Sequence, residues 1–239
     1  MIRWNVSFPP YESGAMVKRT IDVLSAGSAL VLLSPLLLLL ALLLRVVEGK
    51  PVFYVQERVG RGGGTFEILK FRSMRAGSPG PLFTGEDDPR ITRVGAILRK
   101  TKLDEIPQLW NVLRGSMSLV GPRPEVPYYV AKWPTASRRI SLSVRPGITD
   151  PASWLLIDEG ALLANQARPN TYYEEVLIPF KCCMYVKYAE TATTATDMAI
   201  LFGTLARLMG LHAVSNKARQ RIIERLGAES CIHEFEKRS

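Results

Sequence analysis

A chain of 239 residues with 47% hydrophobic and 22% charged residues is long enough to bury a core and too apolar to be disordered throughout. Its formal net charge of +9 points to anionic partners: nucleic acid, an anionic membrane surface or phosphorylated small molecules. The cysteines at 182, 183 and 231 and the histidines at 212 and 233 show no zinc-ligand spacing and no disulfide framework, so reduced thiols and chemistry without a histidine base are expected.

The first sixteen residues carry no pattern. The stretch "SALVLLSPLLLLLALLLRVVEGK", residues 28–50, then departs from ordinary soluble sequence. The chain is uncharged from Val23 to Leu44, which reaches the roughly 20 residues that cross a hydrocarbon core. No small-residue cleavage site follows, so a signal peptide is a poor reading. Ser34-Pro35 interrupts the apolar run, and proline removes a backbone donor there. Lys18 and Arg19 precede the run and Arg45, Lys50, Arg58 and Arg61 follow it, so both flanks favour the cytoplasmic side. A helix that enters the membrane and leaves on the same face satisfies both features. A kinked spanning helix and a buried soluble helix stay open on these residues alone.

Beyond Gly49, "PVFYVQERV" and "TFEILKF" read as a β-hairpin around "GRGGG", either a plain turn or a phosphate loop. Residues 73–90 are loop by their Gly, Pro and Asp content. "ITRVGAILRK" has helical spacing, and a second helical pattern runs through Ile106, Leu109, Trp110 and Leu113 to a C-cap at Gly115. "VGPRPEVP" and "VRPGITDP" are proline-fixed loops, each presenting an arginine. Residues 171–190 look partly helical, Thr196 to Met209 is amphipathic, and "NKARQRIIERL" is a basic helix. The fold class is α+β and mostly helical, with one small β-hairpin and amphipathic helices suited to an interface.

Asp104 and Glu105 stand together in "TKLDEIPQLWNVLRGSMSLVGPRP". They are the only acids between Arg90 and Arg123, among Arg90, Arg93, Arg99, Lys100, Lys102, Arg114 and Arg123. A helix starting at Asp104 would make it the N-cap, with Glu105 and Pro107 in the first turn. The helix dipole and the surrounding cations would then keep both carboxylates ionised. A partly exposed, ionised aspartate is a competent nucleophile toward phosphorus, and a neighbouring glutamate can hold Mg²⁺. Asp followed by Glu is equally a common helix start, and basic helices beside membranes meet lipid headgroups.

Read together, "KRTIDVLSAG", the Ser-Pro-broken helix, "QERVG", "KFRSM", "RKTKLDEIPQLWNVLRGSMSLVGPRP", "RPGIT" and "YYEEVLIPFKCCMYV" resemble the bacterial sugar transferases, monotopic phosphoglycosyl transferases. The resemblance runs from about Val17 to Leu205 and is most specific from Arg99 to Pro124. It implies transfer of sugar 1-phosphate from a UDP-sugar to undecaprenyl phosphate, with UMP released and Mg²⁺ required. It implies Asp104 as covalent nucleophile, Glu105 as metal partner, and Lys70, Arg72, Arg99, Arg123 and Arg145 as phosphate-binding residues. Asp197 falls where the family often has an aspartate in its last helix. Ser34 and Pro35 fall at the break of a re-entrant helix, which implies the cytoplasmic face of the bacterial inner membrane and contact with its lipid. No nucleic acid is implied, and a homodimer is compatible.

The resulting organisation is an N-terminal extension (1–16), a re-entrant membrane helix (17–48), a catalytic domain (49–210) and a basic C-terminal helix and tail (211–239). It resembles the minimal catalytic form of the family. Two other classes are weighed against it: a metal-dependent nucleotide-sugar pyrophosphatase, and an adaptor that binds anionic lipid.

Overall fold

The computed structural model describes residues 12–77, 80, 88–156 and 159–238. Most of the N-terminal extension (1–11) and part of the 73–90 loop (78–79 and 81–87) lie outside the described residues.

The leucine-rich run forms one helix, α1 (Glu12–Val47), with a mean hydropathy of 2.7 over its most apolar window. The break expected at Ser34-Pro35 is not there: the helix continues through both residues, and Ser34 Oγ donates at 2.8 Å to Val31 O, the carbonyl that Pro35 has no N–H to meet. Its middle is bare: Val31, Leu32, Leu38, Leu39 and Leu42 are all exposed. Other positions of the helix are covered. Ala26 joins the main core, while Leu40 and Leu44 are buried against Phe71 and Leu98.

β1 (Phe53–Val59) and β2 (Thr65–Phe71) form the expected antiparallel hairpin, with Phe53 opposite Phe71 and Val59 opposite Thr65. The "GRGGG" segment is its turn. Gly62 and Gly63 adopt φ of 74° and 82°, which a side chain rarely tolerates. α2 (Arg93–Lys100) follows, capped by Thr92 Oγ1 accepting from Gly95 N at 2.9 Å.

The second periodic pattern becomes α3 (Gln108–Arg114), ended as expected by Gly115 at φ 87°. Its start differs. A 3₁₀ turn, Leu103–Glu105, holds the two acids, and Pro107 occupies the N-cap position, so Asp104 is not a helix cap. The change arises at Lys102, whose left-handed conformation (φ 57°, ψ 16°) breaks the chain direction between α2 and the acids. For a residue with a side chain that conformation costs ~1–2 kcal/mol.

β3 (Ser118–Val120) pairs in parallel with β4 (Gly147–Thr149), which lays the two proline loops side by side. Gly121 N donates to Thr149 O at 3.0 Å and Gly147 N to Pro122 O at 3.0 Å. A Cβ on Gly121 would sit 2.3 Å from Arg145 O, and one on Gly147 only 2.1 Å from Gly121 N, so this approach requires glycine on both strands.

Between and beyond these strands come α4 (Pro127–Ala131), α5 (Thr135–Ser141), α6 (Pro151–Leu155) and α7 (Glu159–Ala164). A continuous helical run then comprises α8 (Pro169–Tyr172), a π turn (Tyr173–Leu177) and α9 (Ile178–Thr191). Pro179 has no N–H to offer the carbonyl one turn back, and the wider turn, in which Ile178 N reaches Tyr173 O, absorbs that loss. α9 is the centre of the core, with Met184 and Tyr185 fully buried.

α10 (Thr194–Leu208), α11 (His212–Leu226) and α12 (Glu229–Arg238) close the chain. The basic helix is not a loose tail, because Ile222, Ile223 and Leu226 enter the main core. α12 packs on α9 through the Phe180 and Phe235 rings, tilted 40° to one another at 4.6 Å, and a disulfide, Cys183–Cys231. The expectation of three reduced thiols is thereby corrected. Forty-eight positions of sequence separation hid a pairing that helix packing creates, and Cys182 alone remains a buried thiol.

Candidate active site

Four elements meet around the acid pair. Lys70 comes from β2, Asp104 and Glu105 from the 3₁₀ turn, Gln108 from the start of α3, and Arg123 from the loop after β3. Asn111 sets the distance between β2 and α3. Its side chain accepts from Leu69 N at 3.0 Å and donates to Glu67 O at 2.7 Å, standing in for a neighbouring strand beside Lys70.

Lys70 Nζ then lies 2.8 Å from Glu105 Oε1. Arg123 reaches the same oxygen through one guanidinium nitrogen and touches Oε2 at 3.4 Å through the other. Burial opposes charge on Glu105, yet Arg123 and Lys70 together hold its carboxyl well below the ordinary value. The Lys70 ammonium is itself pushed down by burial, against the pull of Glu105.

Asp104 is the opposite case. It is buried at 6% exposure rather than partly exposed, and its Oδ1 has no hydrogen-bond partner among the described residues. Burial, then the neighbouring Glu105 charge, push its carboxyl up, against Lys70, Arg99 and Lys102. The expectation that both acids are favoured as anions therefore holds for Glu105 alone. One carboxylate is neutralised by two cations; the other is poorly solvated and unpaired, the condition of a reactive oxygen nucleophile.

Arg99 and Lys102 make no side-chain hydrogen bond among the described residues, and the charge of each is felt at Asp104. They are open to a ligand. Arg72 and Arg145 are committed elsewhere. Arg72 donates to Glu48 O at 2.7 Å and Gly49 O at 3.2 Å, closing the end of α1. Arg145 donates to Gly115 O at 3.0 Å, at the far end of α3 from the acids. Neither touches the acid pair.

Asp197 is a buried anchor, accepting from Lys18 of α1 and, at 2.6 Å, from Tyr188 of α9. Lys18 also donates to Val120 O at 2.9 Å, tying α1 to β3. Sequence reading passed over Asn111 and Gln108. Gln108 is 1% exposed, and its amide nitrogen has no hydrogen-bond partner among the described residues. A buried polar residue at a helix's first position, four residues after Asp104, was the available signal.

No group of three or more Asp, Glu, His or Cys gathers among the described residues, which therefore form no metal cage by themselves. Mg²⁺ usually takes one or two carboxylates and completes its shell with water and substrate phosphates. Glu105 Oε2, whose sole partner among the described residues is the 3.4 Å contact from Arg123, fits such a half-site.

Residues 13–210 match the sequence model of the family described as bacterial sugar transferase. The chain is 44% identical over 150 residues to a UDP-N-acetylgalactosamine-undecaprenyl-phosphate N-acetylgalactosaminephosphotransferase of Aeromonas hydrophila, covering 60% of this chain and 35% of that protein. It is 46% identical over 138 residues to a UDP-glucose:undecaprenyl-phosphate glucose-1-phosphate transferase of Caulobacter vibrioides, covering 55% of this chain and 51% of that one. It is 41% identical over 165 residues to exopolysaccharide production protein ExoY of Rhizobium meliloti, covering 59% and 73%. The chain thus spans about a third of the Aeromonas relative and about half of the Caulobacter one.

Proposed function

The chain belongs to the bacterial sugar transferase family, and from that premise we propose that it transfers sugar 1-phosphate from a UDP-sugar to undecaprenyl phosphate. The observation that carries the reading is the asymmetry of the acid pair: Asp104 buried with an unpartnered oxygen, Glu105 clamped by Lys70 and Arg123. Relatives named for this transfer to undecaprenyl phosphate support the acceptor, and their names differ in the sugar.

Asp104 Oδ1 attacks the sugar-linked phosphorus of the donor. The new O–P bond forms as the bond to the bridging oxygen breaks, and UMP leaves with that electron pair. An oxygen of the lipid phosphate then attacks the same phosphorus, the Asp104–phosphorus bond breaks, and the carboxylate is restored. Arg123 and Lys70 hold Glu105 ionised and oriented throughout. Arg99 and Lys102 are free to meet donor phosphates, and Gln108 can donate to a phosphoryl oxygen. Mg²⁺, held by Glu105 and the donor diphosphate, would supply charge neutralisation at the leaving oxygen.

The contacts of α1 support a membrane placement. Lys18 and Arg19 at one end and Glu48 at the other are bound to the same globular body. A helix crossing a core of about 30 Å would place its ends on opposite faces, where one body cannot hold both. This supports a re-entrant α1, with the body on the cytoplasmic face of the inner membrane. Exposed Phe202, Leu205 and Leu208 on α10, and Met209 just after it, suit the same interface.

The test supplies the donor without lipid phosphate. At most one UMP per enzyme and a phospho-sugar mass on the peptide containing Asp104 are expected. Continuous UMP release would mean hydrolysis. Ternary-complex kinetics with no adduct would mean direct transfer.

A further inference from the structure

The loop that carries Arg123 is held from behind by a buried charge network that the acid-pair chemistry does not use. Its centre is Glu125, two residues beyond Arg123 and 8% exposed. Tyr173, from the π turn, donates to Glu125 Oε1 at 2.8 Å. Lys181 of α9 lies 3.8 Å from the same oxygen and donates to Tyr173 at 3.3 Å and to Glu159 of α7 at 2.7 Å. Arg58 of β1 meets Glu125 at 3.4 Å and donates to Pro124 O at 3.0 Å. The backbone is held as well, since Val59 N donates to Glu125 O at 2.9 Å.

These contacts are costly for what they do to stability. Lys181 and Glu125 keep 4% and 9% of their side-chain surface, and a buried ion pair is often no more stabilising than apolar side chains of the same volume. What such a network does supply is a single fixed geometry. Its location says which geometry matters: Pro122 and Pro124 stiffen the loop, and the only side chain between them is the arginine that neutralises Glu105. The π turn belongs to the same device, because it sets the register in which Tyr173 and Lys181 converge on one carboxylate.

We infer that Glu125 and Lys181, with Tyr173 and Arg58, are positioning residues that hold the Pro122–Pro124 loop so that Arg123 reaches Glu105. This rests on the reading of Asp104 and Glu105 as the reacting pair. The network acts through Arg123 and touches no substrate. It would make α9, at the centre of the core, a determinant of turnover.

The experiment uses the full chain in detergent or lipid discs, with UMP release as the rate. Glu125→Gln is expected to lower kcat about 10-fold or more in the wild-type background and less than about 3-fold in an Arg123→Gln background, the non-additivity of residues that act through one another. Glu125→Gln/Lys181→Met, which removes both buried charges, should recover thermal stability without recovering the rate. Equal fold-losses in both backgrounds, or a rate that returns with stability, would overturn the inference and leave a merely structural network.

Hydrogen exchange provides a readout independent of turnover. Lys181→Met should speed exchange in the peptides carrying Arg123 and Glu105, and unchanged exchange there would also overturn it. If the wild-type chain releases no UMP from any UDP-sugar, the functional reading fails by itself, and the exchange result still decides the positioning role.

Discussion

Lys70 and Glu105 stand thirty-five positions apart in sequence and 2.8 Å apart in space, with Arg123 on the same carboxylate. That contact divides two adjacent acids into a neutralised partner and an unpaired oxygen, and the behaviour of each acid can be predicted separately.

Asp104→Asn should abolish turnover, a loss of at least about 1,000-fold, while raising the thermal midpoint near neutral pH. Burial and the Glu105 charge raise the folded-state value of this carboxyl, so above that value its ionisation opposes folding. The amide removes that opposition. The gain should shrink as pH falls and the wild-type acid becomes protonated. A lower midpoint for the amide at neutral pH would contradict the account.

Glu105 has the opposite sign. Its folded-state value is depressed, so it contributes stability above the ordinary glutamate range and loses that contribution as pH falls through the depressed value. A thermal-midpoint series from neutral pH downward should therefore show a stability loss in wild type that Glu105→Gln lacks. Arg123→Gln should move the same loss to higher pH, because one of the two cations holding the carboxyl is gone.

Asn111→Leu should cost about 2–4 kcal/mol by chemical denaturation, since it leaves Leu69 N and Glu67 O without their side-chain partner in a partly buried joint. It should also reduce activity, because those atoms flank Lys70. Stability within about 0.5 kcal/mol of wild type would show that water replaces the amide without cost.

Cys231→Ser, or treatment with a reductant, should lower the thermal midpoint. Closing a loop between residues 48 positions apart stabilises by at most ~4 kcal/mol in the chain-entropy account. The loosened region should be α12 and its seat on α9, seen as faster hydrogen exchange around Phe235. Identical midpoints with and without reductant would mean that the bond makes no contribution.

Cysteines introduced at Ala15 and Lys50 should react with an impermeant reagent from the same side of the membrane. Lys18 and Glu48, close to these positions, are bound to one globular body. Labelling from opposite sides would exclude the re-entrant reading.

Much of this protein was legible in local pattern. The apolar run, the glycine-turned hairpin, the helix ending at Gly115 and the basic helix after Leu211 all follow from periodicity and turn chemistry, which depend on neighbours in sequence. Asp104 and Glu105 stood out because adjacent acids in a basic stretch are conspicuous without any fold.

What only the tertiary structure decided depends on long-range packing. Lys102 in a left-handed conformation moved the acids off the helix they would otherwise have capped. Burial then separated two carboxylates that look equivalent on paper, because desolvation and charge pairing are properties of a place and not of a residue type. Arg72, Arg123 and Arg145 are alike in sequence, each an arginine within a motif. Chain ends and strand pairing sent Arg123 to Glu105, and Arg72 and Arg145 to helix-end carbonyls. Cys183 met Cys231, and Glu125 met Lys181, for the same reason: helices distant along the chain share one core, and sequence spacing carries no record of which faces touch.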